Sequence, residues 1–66
     1  MGLNWTDTLE IAIALDEAHP DVDPRHENFV DLRDWTLALE AFDDDPAHSG
    51  EWILEAIQAA WIEERA

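Results

Sequence analysis

The 66-residue sequence contains no cysteine. The chain therefore cannot form a disulfide, bind zinc through thiolates or carry sulfur as a persulfide, which excludes redox and sulfur-transfer chemistry on the protein itself. Any thiolate-bound metal cluster or transferred sulfur must reside on a partner. No serine stands in a recognisable nucleophile setting, and a core this small is not expected to enclose a substrate-sized pocket. The sequence thus predicts a protein that is not an enzyme.

Long apolar runs and a basic N-terminal stretch are also missing. No uninterrupted apolar segment approaches the ~20 residues that a membrane helix needs. The opening residues, Met1–Trp5, lack the basic and apolar regions of a secretory signal peptide. These absences predict a cytoplasmic protein that does not enter a membrane.

Basic residues are few: three arginines and no lysine face 17 acidic residues, which gives a formal net charge of -14 at pH 7. Nucleic acid is excluded as a direct partner, because its binding depends on basic residues that displace counterions from the phosphates. Anionic membranes are disfavoured for the same reason. A negative field instead attracts metal cations and basic protein surfaces in a salt-dependent manner. Solubility alone would explain a charge magnitude of only about 2–8 in a small domain.

The chain does contain enough apolar residues to fold. Hydrophobic residues make up 47% of it and include four tryptophans, a composition that disordered acidic tails lack. A chain of this length buries only about 60% of the surface that its unfolded form exposes. We therefore expect one domain, residues 1–66, of modest stability.

Three segments with helical periodicity are separated by two acidic turns that contain proline. The first predicted helix is capped by Thr6 or Asp7, with Trp5 packing back on it, and is ended by Pro20. Its predicted apolar stripe is Ile11, Ala14, Leu15 and Ala18.

The second predicted helix is capped by Asp31, follows a short extended piece at Phe29–Val30, and is stopped by the turn Asp43–Pro46. Ser49 caps the third. The predicted stripes are Leu32, Trp35, Leu39 and Phe42 in the second helix and Ile53, Leu54, Ile57 and Trp61 in the third. The expected fold is mainly α, a compact three-helix domain with at most short extended segments.

Four acidic residues crowd the predicted C-terminal end of the second helix, where the negative end of the helix macrodipole makes negative side chains unfavourable. They are Glu40, Asp43, Asp44 and Asp45. A solvated turn would explain them without function. The functional interpretations are a site for a hard cation with oxygen ligands, or a surface that meets arginines of another protein. Asp21 and Asp23 join the four as predicted metal ligands, and Asp16 and Glu17 join them as predicted partner-binding residues.

Three other features of the sequence are weaker indications of function. Asp21-Val22-Asp23 resembles the start of a calcium loop, but the sixth and twelfth positions hold His26 and Leu32 instead of glycine and glutamate. The three histidines are interpreted as surface residues. Trp52 falls outside the apolar stripe of the third helix. It either pads the edge of the core, which is the favoured interpretation, or anchors a partner.

Short segments along nearly the whole chain together carry a family resemblance. They are Met1-Gly2-Leu3, Trp5-Thr6-Asp7, Asp31-Leu32 with Trp35, Leu39-Glu40, Phe42-Asp43-Asp44-Asp45-Pro46, Ser49, Glu51, and Ile53-Leu54-Glu55-Ala56-Ile57 with Trp61. In this order and without gaps they resemble the IscX family, also called YfhJ, of bacterial iron-sulfur cluster assembly. The chain departs from relatives at Glu27-Asn28-Phe29-Val30, where they tend to read Val-Arg-Phe-Thr, and at Gly50, where they tend to carry asparagine.

The resemblance implies a winged-helix-like fold, used for a purpose other than binding DNA, in a monomeric accessory of the cysteine desulfurase IscS. Family members bind that enzyme through an acidic surface and bind iron weakly through carboxylates. Two functions are left open by it. The first is an adaptor or regulator of the desulfurase; the alternative is an iron chaperone that donates metal as frataxin does. The poor metal selectivity of carboxylates favours the adaptor, and without cysteine the chain holds no iron-sulfur cluster.

Overall fold

Three α-helices account for most of the chain in the computed structural model, which describes residues 2–66. They are α1 (Thr8–Ala18), α2 (Phe29–Ala38) and α3 (Glu51–Arg65), and a 3-10 turn interrupts each connection, at Pro24–His26 and at Pro46–His48. Residues 2–66 contain no β-strand; the extended pairing among them is an isolated parallel bridge between Leu3 and Phe42. The prediction of a mainly α, three-helix domain is confirmed, and the winged-helix arrangement stays a prediction.

Helix α1 begins and ends close to its predicted bounds. Asp7 occupies the N-cap position, but its carboxylate accepts the Asn4 amide at 2.9 Å instead of an amide of the helix. The helix ends at Ala18, before Pro20, as predicted, since proline cannot continue an α-helix. Its buried residues are Ile11, Ala12 and Leu15. Ala18, predicted on the apolar stripe, is exposed.

Helix α2 begins two residues before its predicted cap. The Asn28 side chain accepts the Asp31 amide at 2.8 Å, which caps the helix, and its amide group donates to the Asp31 carboxylate at 3.3 Å. The predictions of a cap at Asp31 and of an extended piece at Phe29–Val30 are therefore wrong. Asparagine and aspartate are both good caps, and the one placed three residues earlier leaves room for one more helical turn.

Helix α2 also ends earlier than predicted, at Ala38. Leu39 has an extended backbone, and Phe42 lies in the bridge with Leu3. Both side chains are partly buried against the core, so the helical spacing identified core-facing residues that lie outside the helix. Glu40 directly follows the C-cap Leu39, but Asp43, Asp44 and Asp45 lie four or more residues beyond it, so the macrodipole argument is wrong for the three aspartates.

Helix α3 is capped by Gly50 and not, as predicted, by Ser49. The Ser49 hydroxyl accepts a hydrogen bond from Nε of Arg33 at 3.1 Å and lies 3.2 Å from the Pro46 carbonyl oxygen, to which it donates. Arg33 donates to that same carbonyl at 3.1 Å. These bonds tie α2 to the 3-10 turn that precedes α3.

The core lies mainly between α1 and α3 and is closed by Trp5 and α2. Its buried hydrophobic residues are Trp5, Ile11, Ala12, Leu15, Leu32, Ile53, Leu54, Ile57 and Trp61. The predicted stripe of α3 is thus confirmed in full. Thr36 is also buried, and its hydroxyl donates to the Leu32 carbonyl at 2.8 Å, so the polar group is satisfied. None of the helices within residues 2–66 is long and apolar enough to cross a membrane.

The C-terminal turns of α1 and α3 lie side by side. Nε of Arg65 donates to Asp16 at 2.6 Å, and the same guanidinium donates to the carbonyls of Val22 at 2.7 Å and His19 at 3.3 Å. Arg65 therefore satisfies carbonyls that follow α1 and fixes the loop after it. The residues that lead into α1 lie at its opposite end. There Nε1 of Trp5 donates to the Asp45 carbonyl.

Candidate partner-binding site

The acidic segment, residues 40–45, follows α2 with a turn at Glu40–Ala41, the bridge residue Phe42 and a bend at Asp44. Two backbone hydrogen bonds hold it against the start of the chain: the Leu3 amide donates to the Ala41 carbonyl at 2.6 Å, and the Asp43 amide donates to the Leu3 carbonyl at 2.8 Å. Backbone pairing of this kind fixes the direction of the side chains that flank it. The backbone of the acidic segment is thus held in one conformation by hydrogen bonds to the start of the chain.

Gly2 permits the close approach of these two segments. A Cβ atom at Gly2 would collide with Cβ of Asp43 and lie 2.7 Å from the Ala41 carbonyl oxygen. The backbone of Gly2 needs no special conformation, since its φ is not positive. The requirement for glycine is therefore the space between the two chains.

Trp5 fastens the other end of the acidic segment. Its indole Nε1 donates to the Asp45 carbonyl at 2.8 Å, and its ring meets Phe42 edge to face with centroids 4.7 Å apart. The side chain is only 1% exposed. A buried tryptophan needs a partner for its N–H, and the acidic segment supplies that partner.

The Asp44 carboxylate accepts hydrogen bonds from backbone amides of the protein itself. Its Oδ2 accepts the Trp5 amide at 3.0 Å, and its Oδ1 accepts the Asp45 amide at 2.7 Å. Nδ1 of His48 lies 3.2 Å from Oδ1. The Trp5 amide, followed by the Asp45 amide, holds the pKa of Asp44 below its usual range, with His48 acting in the same direction. Asp44 therefore shapes the segment and is not free to meet a partner with both oxygens.

The remaining carboxylates of the segment face solvent. Glu40, Asp43 and Asp45 are all exposed. Asp45 also accepts the Ala47 amide at 2.9 Å and so caps the 3-10 turn that follows. The four acidic residues predicted as a cluster thus differ in role: Glu40 and Asp43 are exposed, Asp45 is exposed and also caps a turn, and Asp44 is an internal acceptor.

The other predicted acidic residues lie toward the opposite end of α1: Asp16 and Glu17 within the helix, and Asp21 and Asp23 in the loop after it. Asp16 is paired with Arg65 and also accepts from Nε1 of Trp61 at 3.3 Å; the Arg65 hydrogen bond is the main cause that lowers its pKa. Asp23 accepts the Arg25 amide at 3.0 Å, which lowers the pKa of Asp23 and caps a 3-10 turn. Glu17 and Asp21 are exposed.

The six predicted metal ligands are consequently not assembled into one site. Helix α1 separates Asp21 and Asp23 from the acidic segment, and its 11 residues rise about 16 Å. Within residues 2–66, no three histidine, aspartate or glutamate side chains are grouped so as to hold a metal ion. The donors present therefore do not fit a preformed iron site, and iron binding stays a prediction.

Two further aromatic features differ from their predicted roles. Trp52 is 69% exposed, so the favoured interpretation that it pads the core edge is wrong. His26 and His48 are exposed as predicted, but His19 is half-buried and stacks on Trp35 with ring centroids 4.3 Å apart. The stack ties the end of α1 to α2, and this explains why His19 does not lie free on the surface.

Comparison with known proteins assigns the chain to a protein family. A family model described as iron-sulphur cluster assembly matches residues 3–66. The chain belongs to this family. It is the family that the IscX resemblance indicates, so that prediction is confirmed. The chain is also 69% identical over 65 residues to an uncharacterized protein of Pseudomonas aeruginosa, with 98% of each chain covered. Membership in the iron-sulphur cluster assembly family gives this protein a role in that pathway.

The role of Asp44 can be separated from that of Asp43 by neutralising each residue in turn. Asparagine at 44 keeps one acceptor oxygen, so one of the two amides that Asp44 now binds loses its partner. We expect the melting temperature of Asp44→Asn to fall by about 5 °C, since this is the size of shift that loss of one hydrogen bond gives in a small domain. Circular dichroism at rising temperature measures it.

Asp43→Asn is the matched control, because it removes the same charge from the exposed side chain of the preceding residue. Its melting temperature should be equal to or higher than that of the wild type, since like-charge repulsion in a chain of net charge -14 is reduced. Equal effects of the two substitutions would contradict the internal role of Asp44.

The pH dependence of stability should show a maximum on the acidic side of neutrality. Asp16, Asp23 and Asp44 have pKa values lowered in the folded state. Their stabilisation is fully present above the unfolded-state value of 3.8 and is lost as the pH falls through the lower folded-state values. Between neutral pH and the isoelectric point near 4.1, protonation reduces self-repulsion and acts in the opposite direction.

We therefore expect the urea midpoint to rise from neutral pH to about pH 4–5 and to fall at lower pH. Asp44→Asn should flatten the falling limb, because one of the groups with a lowered pKa is gone. A midpoint that rises steadily down to about pH 2 would show that general repulsion outweighs these three carboxylates.

Proposed function

We propose that this protein is a cytoplasmic, non-enzymatic adaptor and regulator of iron-sulfur cluster assembly that binds the cysteine desulfurase through the acidic segment. The observation that carries the proposal is the fixed backbone of residues 40–45, which presents Glu40, Asp43 and Asp45 to solvent. Membership in the iron-sulphur cluster assembly family supports the pathway. The absence of cysteine from the sequence leaves sulfur transfer and cluster binding to partners.

The physical basis of binding is a carboxylate surface whose shape exists before the partner arrives. Carboxylates pair strongly with arginine, often through two parallel hydrogen bonds. A segment that is already ordered loses less conformational entropy on binding than a free turn does. The bonds from Leu3 and Trp5 supply this order, so the start of the chain takes part in the function without touching the partner.

We assign the carboxylates at the other end of α1 a smaller contribution to partner binding. Asp16 is paired with Arg65, and Asp23 caps a turn, so part of the charge of each is already compensated. Glu17 is exposed and adds to the general negative field. We propose that this field speeds the encounter with a basic surface, while the acidic segment supplies the specific contact.

Iron takes a secondary place in the proposal. Because the carboxylates of residues 2–66 form no ready three-ligand group, any iron must bind at an open set of exposed oxygens. Oxygen ligands also suit magnesium, calcium and manganese, and such a site exchanges its metal readily. These arguments favour the adaptor over the iron chaperone, in which the metal would be the purpose of the contact.

Calorimetric titration of the purified protein with the cysteine desulfurase, with and without ferrous iron, tests the proposal. We expect saturable binding without iron, and an affinity that iron changes by less than about threefold. Excess manganese or calcium should displace iron from the free protein. Binding that requires iron would favour the iron chaperone, and no binding under either condition would refute both.

A further inference from the structure

Trp52 is the tryptophan that the fold leaves in solvent. Its side chain is 69% exposed, whereas Trp5 is 1% exposed, Trp61 is fully buried and Trp35 packs against the core. Burial of a large apolar side chain stabilises a fold by about 1.5–3 kcal/mol, and Trp52 contributes little of this. Its exposure therefore calls for an explanation outside the core.

The indole of Trp52 lies back over Gly50, the N-cap residue of α3. Trp52 stands in the first turn of α3, and atoms Cδ1 and Nε1 of its ring lie 3.5 Å from the position that a Cβ of Gly50 would occupy. Long helical side chains point toward the helix N-terminus. Gly50 has no side chain to cover the ring, so the indole lies open beside the chain that leads out of residues 40–45.

The segment between the acidic residues and Trp52 is held in place. Asp45 caps the 3-10 turn Pro46–His48, and Arg33 of α2 donates both to the Pro46 carbonyl and to the Ser49 hydroxyl. The backbone that joins the acidic segment to the start of α3 is therefore held by the fold. Glu51 and Glu55, both exposed, stand one residue before and three residues after Trp52 in α3.

An exposed indole on a chain of net charge -14 matches one kind of occupant. The face of an indole attracts arginine and lysine side chains, and the surrounding negative charge attracts the same side chains from a distance. Tryptophan is also enriched among the residues that dominate binding energy at protein interfaces. An acidic or purely apolar partner would leave the neighbouring carboxylates repelled or unpaired.

We propose that Trp52 is the aromatic anchor of the partner-binding surface and stacks on an arginine or lysine side chain of a basic protein surface. This inference rests on the proposed function, because it names a contact of that same surface. It divides the binding free energy into two contributions. The carboxylates contribute charge-dependent attraction, and the indole contributes a contact that is lost when the ring is removed.

The test compares three variants in calorimetric titrations with the cysteine desulfurase as the probe. Trp52→Ala should lower the affinity at least about 10-fold, as removal of an interface hot spot does, while Trp52→Phe, which keeps an aromatic face, should stay within about threefold. Val30→Ala is the matched control, because Val30 is 70% exposed in the first turn of α2. It should leave the affinity unchanged, and all three should keep the wild-type melting temperature.

Protein labelled with 5-fluorotryptophan gives a second readout by fluorine NMR. The resonance that Trp52→Phe removes belongs to Trp52, and it should shift and broaden when unlabelled desulfurase is added. Wild-type affinity in Trp52→Ala, with an unmoved Trp52 resonance, would overturn the inference and leave the proposed function standing. Failure of the wild-type protein to bind would overturn both. A Trp52 resonance that moves with the protein's own concentration would show that a second copy is the occupant and would overturn the choice of partner.

Discussion

Replacement of Trp5 by alanine is expected to unfold most of the protein at body temperature. Truncation of a buried tryptophan costs about 3–5 kcal/mol, and a domain of 66 residues is stable by only about 3–10 kcal/mol. The substitution also removes the N–H that binds the Asp45 carbonyl and the ring that packs on Phe42. Thermal and urea unfolding followed by circular dichroism measure the loss.

The matched control is Trp52→Ala, which truncates the same side-chain type where it is 69% exposed. Its unfolding free energy should change by no more than about 0.5 kcal/mol. Trp5→Phe separates the two roles of Trp5, since it keeps an aromatic ring and loses the donor to Asp45. A loss below about 1 kcal/mol in Trp5→Ala would contradict the buried position of this residue.

Charge reversal at Glu40 and Asp43 is expected to give the largest loss of desulfurase binding. Both side chains are exposed on the acidic segment, and like charges brought together at an interface cost several kcal/mol. We expect Glu40→Lys with Asp43→Lys to lower the affinity about 100-fold, since each tenfold change corresponds to about 1.4 kcal/mol. Asp44 and Asp45 are left intact because they bind backbone amides within the fold.

Glu63→Lys with Glu64→Lys is the matched control, because it makes the same change in net charge at the exposed end of α3. Positive side chains suit a helix C-terminus, so the control should remain folded. Its affinity should fall by less than about threefold. Equal losses in the two double variants would mean that total charge alone governs binding.

The helices could be predicted because their signals are local. Leu32, Ile57 and Trp61 recur with the helical period and are all buried, and Pro20 ends α1 where proline must. The boundaries of α2 were missed for a different reason. Asn28 and Asp31 are equally good caps three residues apart, and Leu39 and Phe42 keep the helical spacing although they pack on the core, partly buried, from outside the helix.

The architecture of the acidic segment could not be predicted from local sequence. Asp44 is bound by Trp5, which lies 39 residues earlier, and Trp5 reaches the Asp45 carbonyl across 40 residues. The sequence shows that the carboxylates cluster. The separate roles of three consecutive aspartates cannot be distinguished until their pairing with the start of the chain is known. The available signals were Gly2 and Trp5 themselves, since a glycine and a tryptophan beside a short extended stretch are typical of close chain packing.

The exposure of Trp52 also depended on more than periodicity. Its position off the stripe of α3 is compatible with a ring that folds over the core edge or with one that stays in solvent. Gly50 decides between them in the structure, because the indole lies back over a residue that has no side chain. Sequence reasoning could state both alternatives and had no physical ground to choose the second.

The measurement that tests the central claim most directly is the affinity for the cysteine desulfurase across a series of salt concentrations. Attraction between exposed carboxylates and a basic surface is screened within about 8–10 Å at physiological salt. For the wild-type chain, with a net charge of -14, the affinity should fall steeply as salt rises. The Glu40→Lys, Asp43→Lys variant should bind weakly at every salt concentration and show a much smaller slope. A wild-type affinity that stays the same from low to high salt would contradict the acidic segment as the binding surface.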